Sequence, residues 1–180
     1  MKFFRTAEIP YVIFHAKPEQ CPEDEFNEKR IIASGKLHVD DRPRFRTIAA
    51  AANLLGQNVN GMQKSFFRSK KYPGYKLWFP KFYKNSLWDN KLLDEVEVLQ
   101  EHDLEFGDLI QEKPLSLENA SRHFQKLIDE KDCRIVFPRF VDNLGVVVYR
   151  FMGVYAVDTK LSSIENGMIY RRVSKEFTLE

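Results

Sequence analysis

The chain has 180 residues, room for one compact domain with a real core, and carries 28 Lys/Arg against 26 Asp/Glu. No stretch approaches the roughly 18–20 apolar residues of a membrane span, and the start, Met1-Lys2-Phe3-Phe4-Arg5, lacks an apolar signal core. Cys21 and Cys133 stand apart from each other and from histidines at ligand spacing, which argues against a disulfide framework or a zinc site and makes a reducing cytoplasm the expected compartment.

Near-neutrality hides an asymmetry. Residues 1–86 carry 16 Lys/Arg against 8 Asp/Glu, whereas residues 87–132 carry 5 against 13. A basic first half attracts a polyanion even when the whole molecule is nearly neutral, although segregated charge also serves simply to solvate a surface.

Taken in order, residues 3–16 alternate weakly and read as one strand or two short ones. The polar, proline-bearing stretch 18–28 reads as a surface loop, and residues 30–39 offer a short strand around Gly35. Thr47 to Leu55 is a helix candidate, because its alanines favour helix and Gly56 supplies a stop. Residues 58–74, rich in Gly, Asn, Lys and Ser, read as an exposed loop with a short element inside. The aromatic run 75–82 is interrupted by Pro80 and is expected as an edge strand or a pocket wall.

The acidic stretch 88–112 is compatible with helix or strand. Residues 116–130 predict an amphipathic helix begun by Ser116, with Leu117, Ala120, Phe124, Leu127 and Ile128 on its apolar face. Residues 134–140 and 145–158 read as a hairpin about Asp142-Asn143-Leu144-Gly145. A last strand over 169–177 follows the Glu165-Asn166-Gly167 turn. The fold class expected from this pattern is α+β with a mainly antiparallel, barrel-like sheet.

Two constellations carry chemistry. Trp88, Asp89 and Asn90, with Glu101 further on, bring together a large π-face, an amide that both donates and accepts, and a carboxylate. Such a set stacks on and hydrogen-bonds a planar heterocycle. A core tryptophan and a turn asparagine are the competing readings, and Asp89 competes with Glu101 for the carboxylate role. Trp78 and Tyr83 are the candidates for a second wall.

The other constellation is basic. Lys76, Lys81 and Lys84 interleave with aromatics, as suits phosphates and bases met together, or a half-buried strand with snorkelling lysines. Arg42, Arg44 and Arg46 alternate, so on a strand they would share a face. Lys64, Arg68, Lys70 and Lys71 sit in the Gly- and Asn-rich loop, where a chain can follow a phosphate backbone. Gln57, Asn58, Asn60 and Gln63 in the same stretch suit a groove, or the gap left by an extruded base.

Catalytic patterns are missing. His15, His38, His102 and His123 show no metal-binding spacing, and there is no phosphate-cradling loop, nucleophile elbow or deaminase motif. No catalytic residue, metal or cofactor is expected, and the chain as it stands is not read as an enzyme.

Trp88-x-Asn90 with Glu101, followed by RIVF, DNLG, YRFMGVY and YRRVS, resembles the SRA-like reader domain of modification-dependent restriction endonucleases, in particular the hydroxymethylcytosine-dependent type. The likeness covers residues 75–177, with 1–74 as a basic N-terminal part of one domain spanning 1–180. It implies a PUA-superfamily fold, a curved open β-barrel with flanking helices. It also implies a duplex-DNA partner, a 5-modified cytosine turned out into a pocket, and a nuclease effector in the same polypeptide or in a partner. Three other readings compete: an RNA-binding PUA-like module, a small metal-dependent nuclease using His123, Asp129 and Glu130, and a protein-interaction module using the acidic 87–132 segment.

Overall fold

The computed structural model describes residues 28–60, 64–94, 104–141 and 144–180. The strands expected in 3–16, the turn at Asp142-Asn143, and Gln63, Glu101 and His102 lie outside these. The elements are α1 (Glu28–Ser34), β1 (Lys36–His38), a 3-10 turn (Val39–Asp41), β2 (Arg44–Phe45), α2 (Ile48–Leu54), β3 (Phe66–Arg68) and β4 (Tyr75–Trp78). They continue with β5 (Trp88–Leu92), β6 (Leu109–Pro114), α3 (Leu117–Leu127), β7 (Cys133–Val136), β8 (Arg139–Val141), β9 (Val147–Arg150), β10 (Gly153–Val157), β11 (Met168–Ser174) and β12 (Glu176–Thr178).

A seven-stranded sheet runs β3-β4-β7-β10-β11-β6-β5, and a three-stranded sheet β2-β9-β8 and a β1-β12 pair accompany it. All described pairings are antiparallel except β4 with β7. The architecture is therefore α+β on a mixed, mostly antiparallel sheet with few helices.

Helices α2 and α3 start where their capping side chains allow. Thr47 Oγ1 accepts from Ala50 N at 3.0 Å, and Ser116 Oγ accepts from Asn119 N at 3.2 Å, each satisfying a donor that the first turn leaves open. On α3, Ala120 and Leu127 are buried as the spacing predicts, but Leu117 is 79 % exposed.

The large sheet separates two cores. On one face Leu77, Ile135, Phe137 and Val154 meet α2 and Phe45, and Phe137 stacks on Phe79 at 5.5 Å and 17°. On the other, Trp78, Val136, Tyr155, Met168 and Tyr170 meet Leu127 of α3, with Phe82, Leu92 and Phe140 packed alongside. Each fully buried large apolar side chain contributes about 1.5–3 kcal/mol by leaving water.

Two expectations are corrected. The 75–82 run is not an edge: β4 lies between β3 and β7, and Pro80 falls beyond its last residue, so it removes no ladder bond. The 134–158 hairpin is split between sheets. β7 pairs with β10 in the large sheet, while Pro138 and Phe151-Met152 interrupt the arms and β8 pairs with β9 in the small one.

Gly153, in the middle of YRFMGVY, sits at φ 117°, where a Cβ would come within 2.6 Å of the Ser174 carbonyl oxygen. It lets β10 press on β11 next to the register shift between Val154 and Tyr155.

Candidate nucleobase site on β5, β6 and α3

Asn85 sets the entry to β5. Its Oδ1 accepts from Leu87 N at 2.8 Å and Trp88 N at 2.9 Å, and its own backbone N–H donates to the Trp88 carbonyl. Within β5 the pleat sends Trp88 and Asn90 to one face and Asp89 to the other. Trp88 stands opposite Pro114 of β6, and Asn90 opposite Glu112. The structure thus brings Trp88 and Asn90 together and turns Asp89 away from them.

Glu112 is the hub of that face. Its Oε2 lies 3.0 Å from His123 Nε2, 3.1 Å from Arg134 Nη1 and 3.2 Å from Tyr170 Oη. Burial would raise this carboxyl, but Arg134 and His123 overcome that and hold it down at about 2. Arg134 is 1 % exposed; its guanidinium lies 3.8 Å over the Tyr170 ring and 4.7 Å from both Trp78 and Phe66, and it also reaches Glu130 at 3.4 Å. This charge is buried with its partners and with π-faces around it, the arrangement that makes a buried cation tolerable. The Glu165-Asn166-Gly167 turn braces the hub, since a Cβ on Gly167 would stand 2.6 Å from the Glu112 carbonyl oxygen.

His123 links hub to platform. Its ring is edge-on to Trp88, with centroids 4.9 Å apart at 72°, while its Nε2 faces Glu112. Trp88 itself is half-buried. Asn90 Oδ1 is buried, and among the described residues no donor reaches it. A buried acceptor left without a donor costs about 1–3 kcal/mol, so the position favours a ligand that brings an N–H.

Glu112, held ionised and bonded to an arginine, is a poor proton acceptor, so the arrangement suits recognition rather than general-base chemistry. His123 is engaged with Glu112, and Glu130 with Lys76 and Arg134, so both are committed inside the fold. Among the described residues no group of three or more His, Cys, Asp or Glu is placed to hold a metal ion.

The other sequence candidates fall in several places. Trp78 shares the sheet face of Trp88 but is 2 % exposed, covered by Arg134 and tilted against Tyr170 at 5.1 Å. It is a core ring and presents no open wall. Lys76 is likewise drawn inside, onto Glu130 and 3.3 Å from Asp132, which corrects its reading as a surface cation. The cause is the interior position of β4, whose side chains are covered on both faces. Tyr83 is 49 % exposed, with Lys81 Nζ 6.0 Å from its ring centroid.

Lys81, Lys84, Lys64, Arg68, Lys70, Arg42 and Arg46 are exposed. Lys71 is exposed too, but its Nζ bonds the Glu180 carbonyl oxygen. Arg42, Arg44 and Arg46 do not form one strand face: β2 is only Arg44–Phe45, and Arg42 closes the preceding 3-10 turn at φ 50°. β3 and β5 are the opposite edge strands of the large sheet, yet Phe66 of β3 lies 4.7 Å from the Arg134 guanidinium that Glu112 binds. The 64–71 cations lie on β3 and beside it.

Glu112, Arg134 and Tyr170 were not singled out by sequence reasoning, and His123 only as a nuclease candidate. A signal existed for Arg134, a lone charge within the apolar strand RIVF, which implies buried partners.

Two comparisons with known proteins bear on this site. The SET and RING associated domain, SRA, matches residues 30–179. The 5-hydroxymethylcytosine-specific restriction enzyme AbaSI has a similar structure, with a TM-score of 0.74 and 25 % sequence identity over 87 % of this chain. The chain spans 46 % of that enzyme's length. Comparison with the curated proteins gives no match. With the family's pattern running from Arg30 to Leu179, across both sheets and α3, the chain belongs to the SRA family.

Proposed function

We propose that this domain reads a 5-modified cytosine in duplex DNA, taking the base out of the stack and holding it against Trp88. The observation that carries the reading is the buried, donorless Oδ1 of Asn90 on the same strand face as the half-buried Trp88 ring. The exocyclic amine of cytosine is a donor of the kind Asn90 lacks. Extrusion costs a few kcal/mol, and stacking on an aromatic returns roughly 1–3 kcal/mol per base. Membership of the SRA family supports the reading, as does the likeness to an enzyme specific for 5-hydroxymethylcytosine.

In this proposal Glu101 supplies a second edge contact and Tyr83 borders the entrance. Lys64, Arg68, Lys70, Lys71, Lys81, Lys84, Arg42, Arg44 and Arg46 meet phosphates. The 180 residues act as one reader domain with the family's curved open barrel, in the cytoplasm, and direct a nuclease in the same polypeptide or a partner.

The test is a binding panel on one duplex bearing cytosine or its methyl, hydroxymethyl or glucosyl-hydroxymethyl form, with structured RNA as competitor. Preference for a modified duplex is expected. Equal binding to all four forms, or displacement by RNA, would overturn the reading.

A further inference from the structure

Glu112 fixes which nitrogen of His123 carries the proton. Its carboxyl, held down at about 2, is ionised at neutral pH and only accepts hydrogen bonds. The Nε2 that faces it at 3.0 Å is therefore the N–H of the imidazole. In the neutral ring the other nitrogen, Nδ1, is then an acceptor.

The contacts of His123 put that acceptor at the candidate base site. Its ring centroid is 4.9 Å from that of Trp88. Asn90, whose Oδ1 is buried without a donor, is the direct β5–β6 partner of Glu112. Nδ1 has no partner among the described residues, and the His123 side chain is still 18 % exposed. The site thus holds two acceptors in want of donors, one from β5 and one from α3. On cytosine the exocyclic amine and the 5-substituent leave adjacent ring carbons, so a base whose amine meets Asn90 turns its 5-substituent toward a neighbouring group. A methyl brings that group no proton, whereas a hydroxymethyl brings an O–H.

We propose that His123 is a specificity-determining residue whose Nδ1 accepts the hydroxyl proton of a 5-hydroxymethyl group on the base held against Trp88. This rests on the base-reading proposal above and narrows it to a modification that donates a hydrogen bond. It also gives the buried hub a part in recognition, since the Glu112 carboxylate is what makes Nδ1 the acceptor.

The test measures affinity at about pH 8, where an ordinary imidazole is neutral, for one duplex bearing cytosine or its methyl, hydroxymethyl or formyl form. The formyl group keeps the oxygen and lacks the proton. Wild type is expected to bind the hydroxymethyl form about 2- to 10-fold more tightly than the methyl and formyl forms, the worth of one hydrogen bond. In His123→Gln the amide still reaches Glu112 as a donor, but nothing replaces Nδ1, so this ratio should fall toward one. A purely structural role would instead lower affinity for all modified forms in proportion. A ratio that survives in folded His123→Gln would overturn the proposal, as would such a proportional loss. Formyl binding equal to hydroxymethyl binding in wild type would also overturn it, and that arm needs no variant to fold. The two readings fail separately. Equal preference for methyl and hydroxymethyl over cytosine keeps the base site and removes the role of His123, whereas indifference to every form ends the base-site reading itself.

Discussion

His123 stands edge-on to Trp88 while its Nε2 faces the Glu112 carboxylate at 3.0 Å. The stacking platform is thus steadied by a ring that is itself oriented by a buried charge. Such an edge-to-face contact is worth about 0.5–1.5 kcal/mol beyond area burial.

Trp88→Ala is expected to weaken binding to a modified duplex by ~1–3 kcal/mol, with the thermal transition still cooperative, because a half-buried stacking surface is removed. His123→Ala should weaken binding by less, since it loosens the platform and leaves it in place. Fluorescence-anisotropy titration alongside circular dichroism measures both. Outright unfolding of Trp88→Ala would mark the ring as core.

Asn90→Ala and Glu101→Ala should lower discrimination between modified and unmodified duplexes more than they lower non-specific affinity, because base-edge contacts specify and phosphate contacts position. Asp89→Ala should leave discrimination intact, since Asp89 occupies the opposite strand face. Competition titrations separate these outcomes. Loss of discrimination in Asp89→Ala alone would reassign the carboxylate role.

Glu112→Gln tests the hub. Removing one partner of a buried ion pair typically costs about 3–5 kcal/mol, and Arg134 would be left with Glu130. Acid should act in the same direction. The folded carboxyl lies below its ordinary value, at about 2. Its contribution is therefore present above the unfolded value near 4.5 and fades as pH falls toward 2. Urea denaturation followed between pH 6 and about 2 should show a decline in that window that is smaller in Glu112→Gln.

Charge reversal at Lys64, Arg68, Lys70 and Lys71 should weaken all duplexes alike and flatten the salt dependence, while preference for the modified base survives. These cations lie on β3 and beside it. Salt titration of the quadruple variant measures it, and an unchanged slope would leave the backbone contacts to Arg42, Arg44 and Arg46 or to Lys81 and Lys84.

Local patterns carried much of this protein. Thr47 and Ser116 marked helix starts through their side-chain oxygens, and the spacing of Trp88 and Asn90 placed both on one face once β5 was a strand. The family resemblance was also legible there. Pairing partners were not. Whether residues 75–78 made an edge or an interior strand depended on β7 arriving parallel from more than fifty residues away, and that arrival buried Trp78 and Lys76. Glu112 became a hub because β6, β7, β11 and α3 converge on it, and Arg44 met Arg150 because the long hairpin changes sheets at Pro138. Short-range propensity acts through neighbours in sequence, so it determines where elements begin and which way their side chains alternate. Register and burial follow from contacts between distant segments, and only the tertiary structure decided which charges share an interior and which stay exposed.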